Sequence, residues 1–448
     1  MYDIVIKGGM VVDTKRCTCR IGNVGITADK ITYTGNDEIT GHREIDAAGK
    51  YVCPGFIDVH SHVDGDDYAG MLSACQGITT TVGGNCGLSP VDMPEWFESQ
   101  DGGFFMNQLM FVGHSFSLRE AVGLTDPYMP ADDRQIEQME MLAAKALENG
   151  ACGISFGLDY SPGASLKEVR RLCQVCAKYQ KVAAVHTRLF TDKDLNSLYE
   201  MINVAKSTGV RLLISHFVYQ YGNGSMREAL DIVERARLEG IDVWIDSGMY
   251  TDWSTYIGTE SYSPDVIRDN GYVLGDFIVA DGAFAGRRMN QEIYTYLRAH
   301  APEVSVICFT GKKEEIYMAL NQPYAMPSTD AGAYAKGEGH PQIAGTYPKF
   351  FTEMVRERRD LDMATAVYKA SALPAKLFGL ENKGCIAPDM DADIVIVDLD
   401  RLKDRAAFPH IGAPDATPEG IDTVIVSGGI VVDDGVFTHT KSGRCMKI

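Results

Sequence analysis

Residues 51–62 read YVCPGFIDVHSH, an apolar run that ends on two histidines, His60 and His62, one residue apart. Alternate residues of a strand face the same way, so these two imidazoles can reach a common point at a strand's end. The same ending recurs along the chain. GITTTVGG (77–84) runs into a small-residue loop holding Cys86, KVAAVH (181–186) stops at His186, VRLLISH (210–216) at His216 and YAMPSTD (324–330) at Asp330. With NQLMFVGH (107–114), GACGISFG (150–157) and IDVWID (241–246) these make eight short strands. The helical patterns between them include ADDRQIEQMEMLAAKALENG (131–150) and SMREALDIVERARLEG (225–240), with apolar spacings of three and four and a closing glycine. Repeated strand–helix units of this number predict an α/β fold, a TIM-like (β/α)8 barrel, whose parallel strands aim their C-terminal ends at one face. An open doubly wound sheet is the alternative, but no GxGxxG follows the first strand and no phosphate loop is present.

Taken singly, each of these residues has a plainer reading. A histidine is often a hydrogen-bonded core residue, a cysteine a buried thiol, and an aspartate before a loop an Asx turn or helix cap. Six ligand-type residues closing five separate strands are harder to explain that way. His60, His62, Cys86, His186, His216 and Asp330 therefore form a candidate transition-metal site. Asp330 is also the candidate general base, a role that needs hydrogen-bond reach to a water. His114 and His340 read as hydrogen-bonding or structural residues. Asp64, Asp66 and Asp67 lack the closing Glu of a calcium loop and read as a solvated acidic loop. Cys173 and Cys176 form a CxxC, but inside a helical pattern that places both on one face.

The two ends resemble each other: DIVIKGGMVVDT (3–14) and TVIVSGGIVVDD (423–434) are β-branched runs interrupted by Gly-Gly, read as a turn. Residues 1–52 plus 384–448 are expected to build a small β-sandwich domain around a barrel domain of 53–383, with an inserted lid or subdomain at about 256–310. A length of 448 residues suits two such units. Lys and Arg total 42 against 61 Asp and Glu, giving a net charge of −19 and no basic block, so nucleic acid and anionic membrane are excluded as partners. Eleven cysteines without a secreted-domain framework, and a beginning with no cationic region ahead of an apolar core, predict a cytoplasmic protein with free thiols. A homo-oligomer is left open.

The motifs PGFIDVHSH, GGNCGLSP, VHTR, ISH, PSTDAG and GHPQIAGTYPKF together resemble the amidohydrolase superfamily, and the cysteine within GGNCGLSP most resembles its N-acyl-D-amino-acid deacylase (D-aminoacylase) branch. The resemblance implies a tightly held Zn2+ on Cys86, His186 and His216, a weaker second position around His60, His62 and Asp330, and Asp330 as general base in hydrolysing the amide C–N bond of an N-acyl-D-amino acid. The chain departs from the family where substrate is recognised. Val218 stands where Lys is common, Gln342 where Arg is common, and Arg188, Leu189 and Phe190 where Arg-Asn-Glu is common. Arg188 is then the leading candidate to grip a small-molecule substrate's carboxylate, with Tyr250, Ser254 or Lys336 assisting. Two other readings are kept: a hydrolase of cyclic amides of hydantoin, dihydropyrimidine or lactam type, although GISFGLDYSPG offers no lysine for a carboxylated bridge, and an inactive barrel used as a binding scaffold.

Overall fold

The computed structural model describes residues 1–100, 102–188 and 195–448; Leu189 and Phe190 lie outside the described residues. All eight expected strand segments form strands. Phe56–Asp58, Ile78–Gly83 and Asn107–Met110 pair in parallel, in that order. Past Phe111, whose N–H donates to the Gly83 carbonyl at 3.0 Å, the third strand resumes as Val112–Gly113. It then starts a second parallel series through Gly153–Gly157, Val182–His186, Arg211–Ile214, Val243–Ser247 and Ala325–Pro327. Beyond the last strand a parallel bridge joins Ser61 to Ala331, and the Asp330 N–H donates to the His60 carbonyl at 2.9 Å. The pairing thus returns to its first member. Strands such as Gly153–Gly157 are buried at every residue, as parallel strands covered on both faces must be.

The intervening helices carry the signals the sequence promised. Asp133–Glu148 opens on a capping box between Asp132 and Gln135 and buries Ile136, Met139, Ala143, Ala146 and Leu147 along one stripe. Leu166–Lys178 opens on Ser165 and Glu168, and buries Cys173 and Cys176 as free thiols on its core face. Glu168 does more than cap: it also accepts from Arg119 at 2.5 Å and pairs with His114 Nε2 at 2.8 Å, which ties His114 into a buried structural triad.

Strands from both ends of the chain join in one nine-stranded sheet. Two details differ from expectation. The Gly8-Gly9 pair is not a turn but a bulge within one continuous strand, Tyr2–Asp13. Gly8 takes φ +67°, and the two halves of the strand pair with different parallel neighbours, Gly41–Asp46 and Tyr51–Pro54. Tyr51–Pro54 itself pairs with Ile394–Val397 and leaves the parallel series to begin at Phe56. Its partner strand is apolar on both faces: Ile394 and Ile396 enter a small core with Ile6, Val24 and Val52, while Val395 and Val397 enter the main core. Residues 253–308 contribute a separate antiparallel sheet, Trp253–Tyr256, Ser305–Cys308 and Phe277–Val279, with its own apolar cluster around Tyr262 and Tyr294.

A buried charge cluster rivets the terminal sheet to the parallel strands. Lys383 bonds Asp393 and, at 3.0 Å, Asp391, while Asp393 also accepts from Asn107 Nδ2 at 3.1 Å and from the Ser427 N–H at 2.7 Å. Removing the cation leaves the buried Asp393 carboxylate without its counter-ion, so Lys383→Met is expected to lower unfolding free energy by about 3–5 kcal/mol at neutral pH in urea titrations. Burial opposes ionisation of Asp391, yet Lys383 and Lys30 hold its carboxyl below the usual range. Its contribution is therefore complete above about pH 4 and is lost as pH falls through the lower folded value. The wild-type midpoint should fall on acidification through that window; one flat from pH 7 to 2 would contradict the assignment.

Candidate metal centre

The ends of the parallel strands bring all six candidate ligands together. Cys86 Sγ lies 3.4 Å from His60 Nε2, 3.8 Å from His186 Nδ1 and 3.7 Å from His216 Nε2. Asp330 Oδ1 lies 3.4 Å from both His60 Nε2 and His62 Nε2. Two triplets result, His60–His62–Cys86 and Cys86–His186–His216, each with its donor atoms within 4.8 Å of one another and sharing the one sulfur. Imidazole and thiolate bonds to zinc of about 2.0 and 2.3 Å at a tetrahedral angle put the donors about 3.5 Å apart. The separations from the sulfur bracket that value, and thiolate, imidazole and carboxylate are the donor types zinc prefers, so the residues fit the ion.

Three of these residues hold unusual backbone. Cys86 has φ +53°, His216 φ +34° and Asp330 φ +52°, a region that costs non-glycine residues about 1–3 kcal/mol each. Two buried carboxylates fix the backbone at His216 and beside Asp330. Asp246 Oδ1 accepts from the His216 N–H at 2.8 Å and from Ser328 Oγ at 2.5 Å, and its Oδ2 faces His60 Nδ1 at 3.8 Å. Asp58 accepts from the Thr329 N–H at 3.0 Å and its hydroxyl at 2.5 Å, fixing the residue before Asp330. Burial pushes the Asp58 carboxyl up to about 7 against those bonds.

The electrostatics follow from burying a thiol, a carboxylate and four imidazoles together. Burial works against ionisation of Cys86, but His60, His186 and His216 pull its thiol well below the ordinary range. Burial likewise works against charging His62, but Asp330 and Cys86 raise it to about 10. Asp330 is held below the usual carboxylate range, against burial, by His62, His60 and His216. The cluster is thus arranged to hold positive charge against a thiolate and a carboxylate.

A cavity of about 370 Å³ opens onto the cluster. Of the expected substrate contacts, Ser254 lines it. Arg188 does not: its guanidinium donates to Glu200 at 3.1 Å, to the Pro162 carbonyl at 3.0 Å and to the Ala164 carbonyl, because a half-buried cation must find acceptors. Tyr250 is also directed elsewhere, donating to Asp404 at 2.8 Å beneath the ammonium of Lys349. Lys336 is exposed and outside the lining. Gln342 reaches the cavity, but its amide donates to the Asp330 carbonyl at 2.5 Å and accepts from Tyr219 at 2.8 Å. Asp64 is not in a solvated loop; it lines the cavity and accepts from the Gly84 N–H at 3.1 Å. Asp66 caps the helix Asp67–Cys75, and Asp67 pairs with Lys441.

Sequence reasoning passed over Asp246, although it closes the seventh strand segment just as the ligands close theirs. Asp159 was passed over too; it lies two residues beyond the strand Gly153–Gly157, accepts from Ser261 at 2.8 Å and faces His186 Nε2 at 3.9 Å.

This geometry has close parallels. An N-acyl-D-glutamate deacylase of Alcaligenes xylosoxydans xylosoxydans is 30% identical over 481 residues, spanning 99% of this chain and 96% of the relative. A crystal structure of D-aminoacylase superposes with TM-score 0.88 at 28% identity, covering 100% of both chains. An N-acyl-D-glutamate deacylase from Bordetella bronchiseptica, complexed with zinc and a phosphonate inhibitor, superposes with TM-score 0.88 at 26% identity, again over 100% of both chains. The pattern of the amidohydrolase family matches residues 51–431, which take in all six clustered residues, and the chain belongs to that family.

Proposed function

We propose that the protein is a zinc-dependent hydrolase of an amide C–N bond outside the peptide backbone, acting on an N-acyl-D-amino acid or a close analogue. The convergence of His60, His62, Cys86, His186, His216 and Asp330 at one cavity carries this reading. The likeness to deacylases over the whole chain length supports it. The circuit of parallel pairings supports a (β/α)8 barrel over 53–383, with residues 1–52 and 384–448 as a terminal β-sandwich and about 256–310 as an inserted lid. Eleven free cysteines agree with a cytoplasmic setting, and no described helix is long and apolar enough to cross a membrane.

Cys86, His186 and His216 would hold one zinc tightly, and His60, His62 and Asp330 a second, weaker one. When bound, zinc supplies Lewis acidity, lowering the pKa of a water and polarising an amide carbonyl. Asp330, held ionised beside its histidines, takes the proton from the attacking water and returns it to the departing nitrogen. Asp246 and Asp58 position the groups that do this by fixing the His216 and Thr329 backbone. Gln342 holds the Asp330 carbonyl from the other side.

Cys86→Ala is expected to lose tightly bound zinc, read as metal content after gel filtration; unchanged zinc would sink the ligand assignment. Asp330→Asn keeps the donors of the tight position and should retain that zinc while kcat falls by about 10²–10⁴-fold. Equal activity in this variant would remove Asp330 as the base.

A further inference from the structure

We propose, building on the amide-hydrolase reading above, that the substrate is a close analogue of an N-acyl-D-amino acid whose amine portion presents an ammonium group in place of the carboxylate, and that Asp281 receives it in the cavity it shares with Trp253, Tyr256 and Tyr334.

A pocket that grips a carboxylate needs a cation aimed into it. Among the described residues, the cavity lining contains no lysine and no arginine but four aspartates, Asp64, Asp159, Asp281 and Asp330. The nearby cations are committed elsewhere: Arg188 is enclosed by Glu200 and two carbonyls, and Lys349 lies over Tyr250. Gln342 cannot turn to a carboxylate without releasing the Asp330 carbonyl and Tyr219. Three of the aspartates have work near the cluster: Asp330 faces His60 and His62, Asp64 takes the Gly84 N–H, and Asp159 lies between Ser261 and His186.

Asp281 remains. It comes from the 253–308 insertion, where its Oδ1 accepts from the Ser305 N–H at 3.0 Å. Burial raises its carboxyl pKa against the opposing Ser305 bonds, and the carboxylates of Glu338 and Glu303 add to the rise. Burial together with the Asp281 charge also raises the Tyr256 and Tyr334 hydroxyls, and Tyr334 feels Asp330 as well. Tyr256 stands opposite Ser305 in the antiparallel sheet, and Tyr334 lines the same cavity as Asp281 and Asp330. A carboxylate in a cavity lined by aromatic side chains attracts an organic ammonium through charge and ring quadrupole together, and repels an anion.

The test uses three acetamides of one D-configured amine that differ at a single group: N-acetyl-D-phenylalanine, its primary carboxamide, and the analogue with CH2NH3+ in place of the carboxylate. Acetate release by zinc-loaded enzyme gives kcat/KM, and calorimetry on the same protein gives Kd for any compound that is not hydrolysed. The ammonium compound should exceed the acid by roughly 100-fold and the carboxamide by a smaller factor. The same ranking in Kd with no turnover would support the charge preference and sink the hydrolytic reading. An acid hydrolysed as well as or better than the ammonium compound would overturn the preference and leave the hydrolytic reading standing, as would a carboxamide that matches the ammonium compound. Asp281→Asn should cut kcat/KM, or affinity, for the ammonium compound about 10-fold more than for the carboxamide. An undiminished preference would remove Asp281 as its receptor.

Discussion

The Cys86 sulfur sits between three imidazoles, 3.4 to 3.8 Å away, that arrive on three different strands. No local motif can make this contact. It requires Phe56–Asp58, Ile78–Gly83, Val182–His186 and Arg211–Ile214 to end at one level, which parallel pairing in fixed register enforces. Slipping one of these strands by a single residue would turn its ligand away from the cavity, so the long sequence of pairings and the chemistry at its mouth are one constraint.

Convergence alone would leave soft ligands on mobile loops. Cys86, His216 and Asp330 instead stand in the left-handed region, with Asp246 and Asp58 fixing the backbone at His216 and at Thr329 beside Asp330. The chain passes so close around Cys86 that any side chain at Gly157 would overlap the Cys86 carbonyl. Asp246 serves two ligand strands at once, bonding the His216 backbone and facing His60. Its burial is tolerable only because Ser328 and that backbone N–H satisfy one oxygen, with a histidine facing the other. The strained conformations and the buried carboxylates depend on each other, and together they keep the donors at a metal's spacing.

The strand endings were legible because a ligand closing an apolar run is a local pattern with a geometric meaning. The helices were legible from their caps and stripes, as at Asp132 and Ser165. The role of Arg188 was not, because whether a guanidinium faces the cavity or Glu200 depends on carbonyls at Pro162 and Ala164, more than twenty residues away. Asp64 was misread for a similar reason: an acidic run looks solvated until the fold lays the Gly84 N–H against one of its members. The Gly8-Gly9 pair looked like its counterpart at Gly428-Gly429, but the first lies within one long strand and the second follows a strand that turns back on itself. Sequence similarity between the ends specified membership of a common sheet and not the path through it.

The parallel strands supply the cluster of donors; the antiparallel sheet and the loops supply further lining of the same cavity. These two parts obey different physics. Altering a donor at the centre disrupts a set of mutually close buried groups, so that part tolerates little change. The rest of the lining includes Trp253, Tyr256, Asp281 and Tyr334 on the separate antiparallel sheet and the loops around it, outside that set of mutually close donors. A chain can therefore keep the centre while the charge of its lining reverses. Gln342 illustrates the junction between the two, since it lines the cavity yet spends both ends of its amide on Asp330 and Tyr219. In that position an uncharged side chain holds the Asp330 loop without adding positive charge to the cavity.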